Sequence, residues 1–342
     1  MACKWVKGKL LGKGTYGSVF VAKRAYSSLF ASHFSPTQVA VKSAPRNQSW
    51  SLQQEKKILH ELRGCPHIVH CFENDDFESI EDGTEYYNLV LEYDDSGSLG
   101  QLLRRDGCIT EFEASLYAYM LLKGLSHVRK KGYVHCDIKP DNILIFDNIP
   151  KKYKGAVKYN LKIADFGLTK KAGERSYRVV GSENKHRGTL LYGSPESVVF
   201  GVHEAQMDIW ALGCTVLEMI FGNGGLWSCS YDAQCLAQMI AYYYVDDRIS
   251  FILPVFNNLS ANARDFVARC LRRNFQDRWT ADQLLQHPFI TQNQIILQHI
   301  QAQSALGKLL IDIPFILSQI PLQLFIIFLS WFVTYNFLKM FS

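Results

Sequence analysis

A two-lobed α+β fold is predicted for the chain, with a small β-rich lobe first and a larger helical lobe after it. Short apolar or alternating runs crowd the early part, at Lys9 to Leu11, Val19 to Ala22, Val39 to Lys42 and Leu89 to Tyr93, the pattern of strands. Beyond them, apolar residues recur at three- and four-residue spacing in Glu113 to Lys130, Asp208 to Phe221 and Asn262 to Leu271, the period of amphipathic helices. Strands gathered first and helices after them segregate rather than alternate, so two lobes with a cleft between them are expected. Their boundary is placed in the polar stretch Asp94-Asp95-Ser96-Gly97-Ser98, giving a first lobe of about 1–94 and a second of about 95–294. A tail of different composition, 295–342, follows.

The 342 residues hold 37 Lys and Arg against 32 Asp and Glu, a formal net charge of +5, too mild for a chain whose charge serves nucleic acid. With 48% apolar and 20% charged residues, the composition supports a substantial core and excludes disorder. The nine cysteines are scattered, odd in number and free of any C-x-x-C pair, which favours a reducing compartment and excludes a zinc ribbon. No apolar h-region follows Met1, so a cytoplasmic location is expected.

The first strand runs into Leu11-Gly12-Lys13-Gly14-Thr15-Tyr16-Gly17-Ser18-Val19, a G-x-G-x-x-G loop whose missing side chains let backbone N–H groups approach phosphate oxygens. Alone, the loop would also suit a ligand-free hairpin. A dinucleotide-binding turn is excluded because Ser18 to Ala22 continue as a strand and no βαβ unit follows. The next strand, Val39-Ala40-Val41-Lys42, ends in an ammonium of the type that clamps α- and β-phosphates. Glu55 then opens Glu-x-x-Ile-Leu-x-x-Leu, a helix with Ile58, Leu59 and Leu62 on its apolar face, and would hold the Lys42 amine in place.

The most informative segment is Tyr133 to Ile145, where Asp137, Lys139 and Asn142 precede an apolar run. Phosphoryl transfer needs these residue types: Asp137 to orient a hydroxyl and accept its proton, Lys139 to neutralise the γ-phosphate, Asn142 to ligate a metal. Leu161-Lys162-Ile163-Ala164-Asp165-Phe166-Gly167 supplies a second carboxylate, Asp165, to hold Mg²⁺ between phosphates.

From about Trp5 to Ile290 this series resembles the eukaryotic protein kinase superfamily, and the motifs stand in the family's order. Ser194-Pro195-Glu196 occupies the place where the family usually has Ala-Pro-Glu, Asp208 to Gly213 is similar to its central large-lobe helix, and Arg278 resembles the buried partner of Glu196. The resemblance implies ATP as the nucleotide. It makes Leu91-Glu92-Tyr93 the hinge, with Leu91 as gatekeeper, the backbone around Glu92 bonding adenine, Ala40 above the base and Leu144 below it. Lys139 together with Thr189 is similar to serine/threonine kinases, and phrases such as Gly12 to Arg24 and His135 to Ile145 look like plant kinases at the top of mitogen-activated cascades. A protein substrate, in that case a downstream kinase, is implied. A pseudokinase scaffold is the competing reading, weakened because Lys42, Asp137, Asn142 and Asp165 are all present.

Two departures stand out. The catalytic loop reads His135-Cys136-Asp137, so the arginine that commonly reads an activation-segment phosphate is missing. Cys136 is expected to be structural, since no cationic neighbour is visible to activate its thiol. The chain also carries insertions at Ala25 to Gln38 and at Phe146 to Tyr159, the latter made basic by Lys151, Lys152 and Lys154 and expected to be a solvated hairpin tip. Finally, Ile313 to Leu338 carries no charge, and Leu322 to Leu338 is a 17-residue apolar run with Trp331 and Tyr335 toward one end and Lys339 beyond it. A spanning helix needs about 20 residues, so Ile313 to Ile320 would have to extend it; the alternatives are a helix docked on the large lobe or a C-terminus foreign to the domain.

Overall fold

The computed structural model describes residues 5–14, 17–25, 36–72, 75–147, 157–174, 187–222 and 258–295. The chain divides into two units, Met1–Asn293 and Gln294–Ser342, and the first holds everything set out below. The tips of the two insertions and the apolar tail lie outside the described residues.

Five antiparallel strands form the first sheet, β1 (Trp5–Gly14), β2 (Gly17–Arg24), β3 (Gln38–Pro45), β4 (Phe77–Glu81) and β5 (Thr84–Leu91), in the order β1-β2-β3-β5-β4. Its alternation sorts the residues of β3. Val39 and Val41 join Trp5, Ala22 and Val90 in a fully buried cluster, while Ala40 and Lys42 lie on the opposite face. β4 was not evident in the sequence, since Phe77-Glu-Ser-Ile-Glu is mostly polar. Asp82 (φ 49°) and Gly83 (φ 77°) form the two-residue turn that pairs it with β5, an edge position where polar residues are at home. β5 ends at Leu91, two residues before the expected end.

Helix α1 (Trp50–Glu61) buries Leu52, Ile58 and Leu59, and Glu55 lies on the same side, three and four residues from them. The helical lobe opens with α2 (Leu99–Asp106), started by a capping box in which Ser98 and Gln101 satisfy each other's backbone N–H. Thr110 caps α3 (Glu111–Lys130), whose buried residues run almost its whole length. Next come two antiparallel strand pairs, β6 (Tyr133–Val134) with β9 (Lys170–Lys171), and between them in the chain β7 (Ile143–Phe146) with β8 (Asn160–Ile163). The short α4 (Pro195–Phe200) precedes α5 (Ala205–Phe221), which is buried nearly all round as its apolar sequence requires. Among the described residues α6 (Ala261–Cys270) and the single turn α7 (Ala281–Leu284) follow.

Arg278 closes this lobe. Its two terminal nitrogens reach Glu196 at 2.7 and 3.0 Å in a bidentate pair buried on both sides, and the guanidinium also donates to the carbonyls of Gln206 and Arg272. The ion pair suggested by the sequence therefore ties α4 to the segment before α7.

Candidate active site

Strand and helix geometry deliver Lys42 and Glu55 to one point. The Lys42 amine lies 2.7 Å from Glu55 Oε2 and 2.7 Å from Asp165 Oδ1. Burial alone would discharge the amine, but Glu55 and Asp165 together outweigh it and hold the ammonium above its ordinary range. The other Glu55 oxygen accepts the Phe166 N–H at 3.1 Å, so one carboxylate fixes both the strand lysine and the turn after Asp165. Asp165 sits in the left-handed region (φ 63°), which aspartate tolerates, and Phe166 packs edge-on against His135 with ring centroids 4.7 Å apart. Burial opposes ionisation of Asp165, yet Lys42 keeps the carboxyl below the usual range.

A second cluster gathers on the loop between β6 and β7. Asp137 Oδ1 accepts the N–H and the hydroxyl of Thr189, both at 2.8 Å, while Oδ2 accepts the Asn142 amide at 2.8 Å and lies 3.0 Å from the Lys139 amine. Lys139 also donates to the Thr189 hydroxyl at 2.7 Å. Burial would raise the Asp137 pKa, but Lys139 and Thr189 prevail and hold it below the ordinary carboxylate range. Asp137 is therefore an ionised acceptor framed by a lysine and a hydroxyl.

The loop is shaped by Asp208, which the sequence marked only as part of a helix. Its two oxygens accept the N–H groups of His135 (2.8 Å) and Cys136 (2.9 Å), supporting a Cys136 backbone at φ 71° that costs about 1–3 kcal/mol in a non-glycine residue. The clue lay in an acid embedded among Ile209, Trp210, Ala211 and Leu212. His135 Nδ1 accepts the Asp137 N–H at 3.2 Å, which leaves Nε2 to donate to the Ala164 carbonyl, next to Asp165. The two clusters thus share a frame. Cys136 packs against Val134, Met207 and Leu168. Arg187 and Lys170 are close enough to act on its thiol, contrary to the sequence expectation, but burial dominates and the pKa rises, in line with a structural role.

The glycine loop separates fold from ligand. At Gly17 (φ 138°) a Cβ would strike the Ser43 carbonyl oxygen, so the fold itself demands glycine. At Gly12 nothing lies within 4 Å of such a Cβ, and at Gly14 the nearest atom is 3.9 Å away. Their bareness leaves open space of the kind a phosphate cradle uses. Leu11 is exposed beside them, and Val19 is half-buried.

At the far end of the cleft Ala40 pairs with Leu91, and Leu144, partly exposed, pairs with Lys162. Glu92 leaves the sheet because its N–H turns to the His70 carbonyl (2.9 Å) and its carboxylate to Lys162, which leaves its backbone carbonyl for a ligand. For a cation, the chain offers the Asp165 carboxylate and the carbonyl of Asn142, whose NH₂ is taken up by Asp137. Among the described residues there is no group of three acidic, His or Cys ligands. Two oxygens suit a hard cation that completes its shell with phosphate and water.

Residues 5–290 match the protein kinase domain. The chain is 35% identical over 291 residues to mitogen-activated protein kinase kinase kinase 20 of Arabidopsis thaliana, covering 84% of this chain and 78% of that protein. It is 32% identical over 289 residues to mitogen-activated protein kinase kinase kinase 17 of the same plant, covering 84% and 70%. Mitogen-activated protein kinase kinase kinase 19 of Homo sapiens is 27% identical over 288 residues, covering 84% of this chain and 20% of its own length. The chain belongs to the protein kinase family, and its activity is that of a serine/threonine protein kinase.

Proposed function

We propose that the chain transfers the γ-phosphoryl of ATP, with Mg²⁺, to a serine or threonine of a downstream protein kinase. The observation that carries this reading is the pair of assembled clusters: Lys42 bonded to both Glu55 and Asp165, and Asp137 framed by Lys139, Asn142 and Thr189. Adenine lies between Ala40 and Leu144 against the backbone at Glu92, with the phosphates under the loop from Leu11 to Val19. Lys42 orients the α- and β-phosphates, and Lys139 neutralises charge on the transferring group. Asp137 accepts a hydrogen bond from the attacking hydroxyl and takes its proton as the new bond to the γ-phosphorus forms and the bond from that phosphorus to the β–γ bridging oxygen breaks, releasing ADP. Asp165 and Asn142 hold the cation, whose contribution when bound is to neutralise phosphate charge.

The downstream kinase as substrate rests on the names of the plant relatives. A membrane anchor in the tail rests on the charge-free run Ile313 to Leu338.

Transfer of labelled phosphate to a generic protein substrate tests the reading. Asp137→Asn should keep nucleotide affinity and lose at least about a hundredfold in kcat, whereas Lys42→Met should also weaken phosphate positioning. If both variants turn over like the wild type, the proposal fails.

A further inference from the structure

Lys162 is a buried charged residue on β8, three positions before Asp165, with only 9% of its surface exposed. Both Glu92 oxygens lie on its amine, at 2.7 and 2.6 Å, and the ammonium rests over the Phe146 ring, 4.7 Å from the centroid. Glu92 Oε1 also accepts the His70 N–H at 2.6 Å, while the Glu92 N–H donates to the His70 carbonyl. The segment 67–70 is in turn bonded to β8, through Ile163 N to the His67 carbonyl and Val69 N to the Ile163 carbonyl, each at 2.9 Å. Three stretches of chain form a closed triangle behind the cleft.

Register gives the triangle its meaning. Glu92 directly follows Leu91, the partner of Ala40, and Lys162 is the partner of Leu144. The Glu92–Lys162 pair therefore spans from the backbone beside the upper wall to the backbone beside the lower wall. We infer that Lys162 is a positioning residue for the nucleotide: its pair with Glu92 sets the separation of the Ala40 and Leu144 walls and orients the backbone at Glu92 toward the base. This rests on the adenine placement proposed above. The pair is nearly dry, with side-chain exposures of 11% and 17%, so removing one partner strands the other charge, and the walls relax to rehydrate it.

Lys162→Met should raise the KM for ATP about tenfold, the effect of one charge-assisted hydrogen bond, while kcat at saturating ATP and the KM for the protein substrate stay near wild type. Adenosine, which has no phosphates, should lose affinity by the same factor. Lys162→Arg should restore most of the loss, and Glu92→Gln should add little to Lys162→Met, since both break one pair. If Lys162→Met does not fold, Glu92→Gln carries the same KM test. Unchanged KM for ATP in both variants would overturn the inference, as would a change confined to kcat or full additivity of the two substitutions. Ala40→Leu separates the two levels. If it blocks adenosine binding while Lys162→Met does not weaken it, the wall-spacing role is wrong and the adenine site stands; if Ala40→Leu has no effect, the adenine site itself is misplaced.

Discussion

Asp137 shows how one carboxylate is tuned by neighbours that the sequence places far apart. Thr189 lies 52 residues on, yet its hydroxyl and N–H occupy one Asp137 oxygen, and with Lys139 they overcome burial and keep the acid ionised. The sign follows directly: a depressed pKa means that the proton-accepting form persists down to low pH and is lost only as pH falls through that value. Thr189→Ala removes one donor to the ionised form, so the acid limb of the kcat profile should move upward. Parallel pH profiles of wild type and variant provide the check, because protonation of the nucleotide affects both alike. An unmoved limb would show that Thr189 does not tune Asp137.

The activation segment, from Asp165 to the start of α4, is held at both ends by contacts that need no phosphate. Arg187 donates through Nη1 to the Leu168 carbonyl at 2.9 Å, and its N–H donates to His203 Nε2 at 3.0 Å. Lys170 reaches the Glu174 carbonyl at 2.6 Å, and Gly188 (φ 98°) lets the chain pass where a Cβ would strike the Cys136 carbonyl oxygen. With cysteine in place of the loop arginine, the guanidinium of Arg187 is engaged within the segment itself. Thr169 donates its hydroxyl to the His135 carbonyl at 3.4 Å, and Ser176 and Ser182, like Arg175 and Arg178, lie outside the described residues. Phosphatase treatment should therefore leave activity essentially unchanged. A large loss on dephosphorylation would show that a phosphate organises the segment after all.

For the whole molecule, the Glu196–Arg278 pair offers a test of long-range packing, joining residues 82 positions apart. Arg278→Ala would leave a buried Glu196 carboxylate and the carbonyls of Gln206 and Arg272 without their donor, a loss of about 3–5 kcal/mol. Urea unfolding should show a lower midpoint that, multiplied by the m-value, gives a loss of that size; a shift typical of a surface substitution would mean the lobe repacks around the gap. Among the described residues no helix is long and apolar enough to cross a membrane, and the tail lies beyond them. If Ile313 to Leu338 is an anchor, the full chain should stay in the membrane pellet after alkaline carbonate extraction while a version ending at Ile290 is released. Recovery of the full chain in the soluble fraction rules out a spanning anchor.

Motif order alone determined the family, the two-lobed architecture and the types of residue in the site, because those features depend on local spacing: glycines within one hairpin, a strand lysine, which the structure places inside β3 rather than at its end, and an acid and an amide five residues apart. The strands with apolar alternation and the long helices were legible for the same reason, whereas polar β4 was not, its edge position being a property of the assembled sheet. Only the tertiary structure decided which partners each charge meets. Asp208 under the Cys136 backbone, Thr189 on Asp137 and Lys162 on Glu92 join residues 72, 52 and 70 positions apart. No periodicity encodes such pairings, since they arise where separate elements converge and a buried charge must find its counterpart.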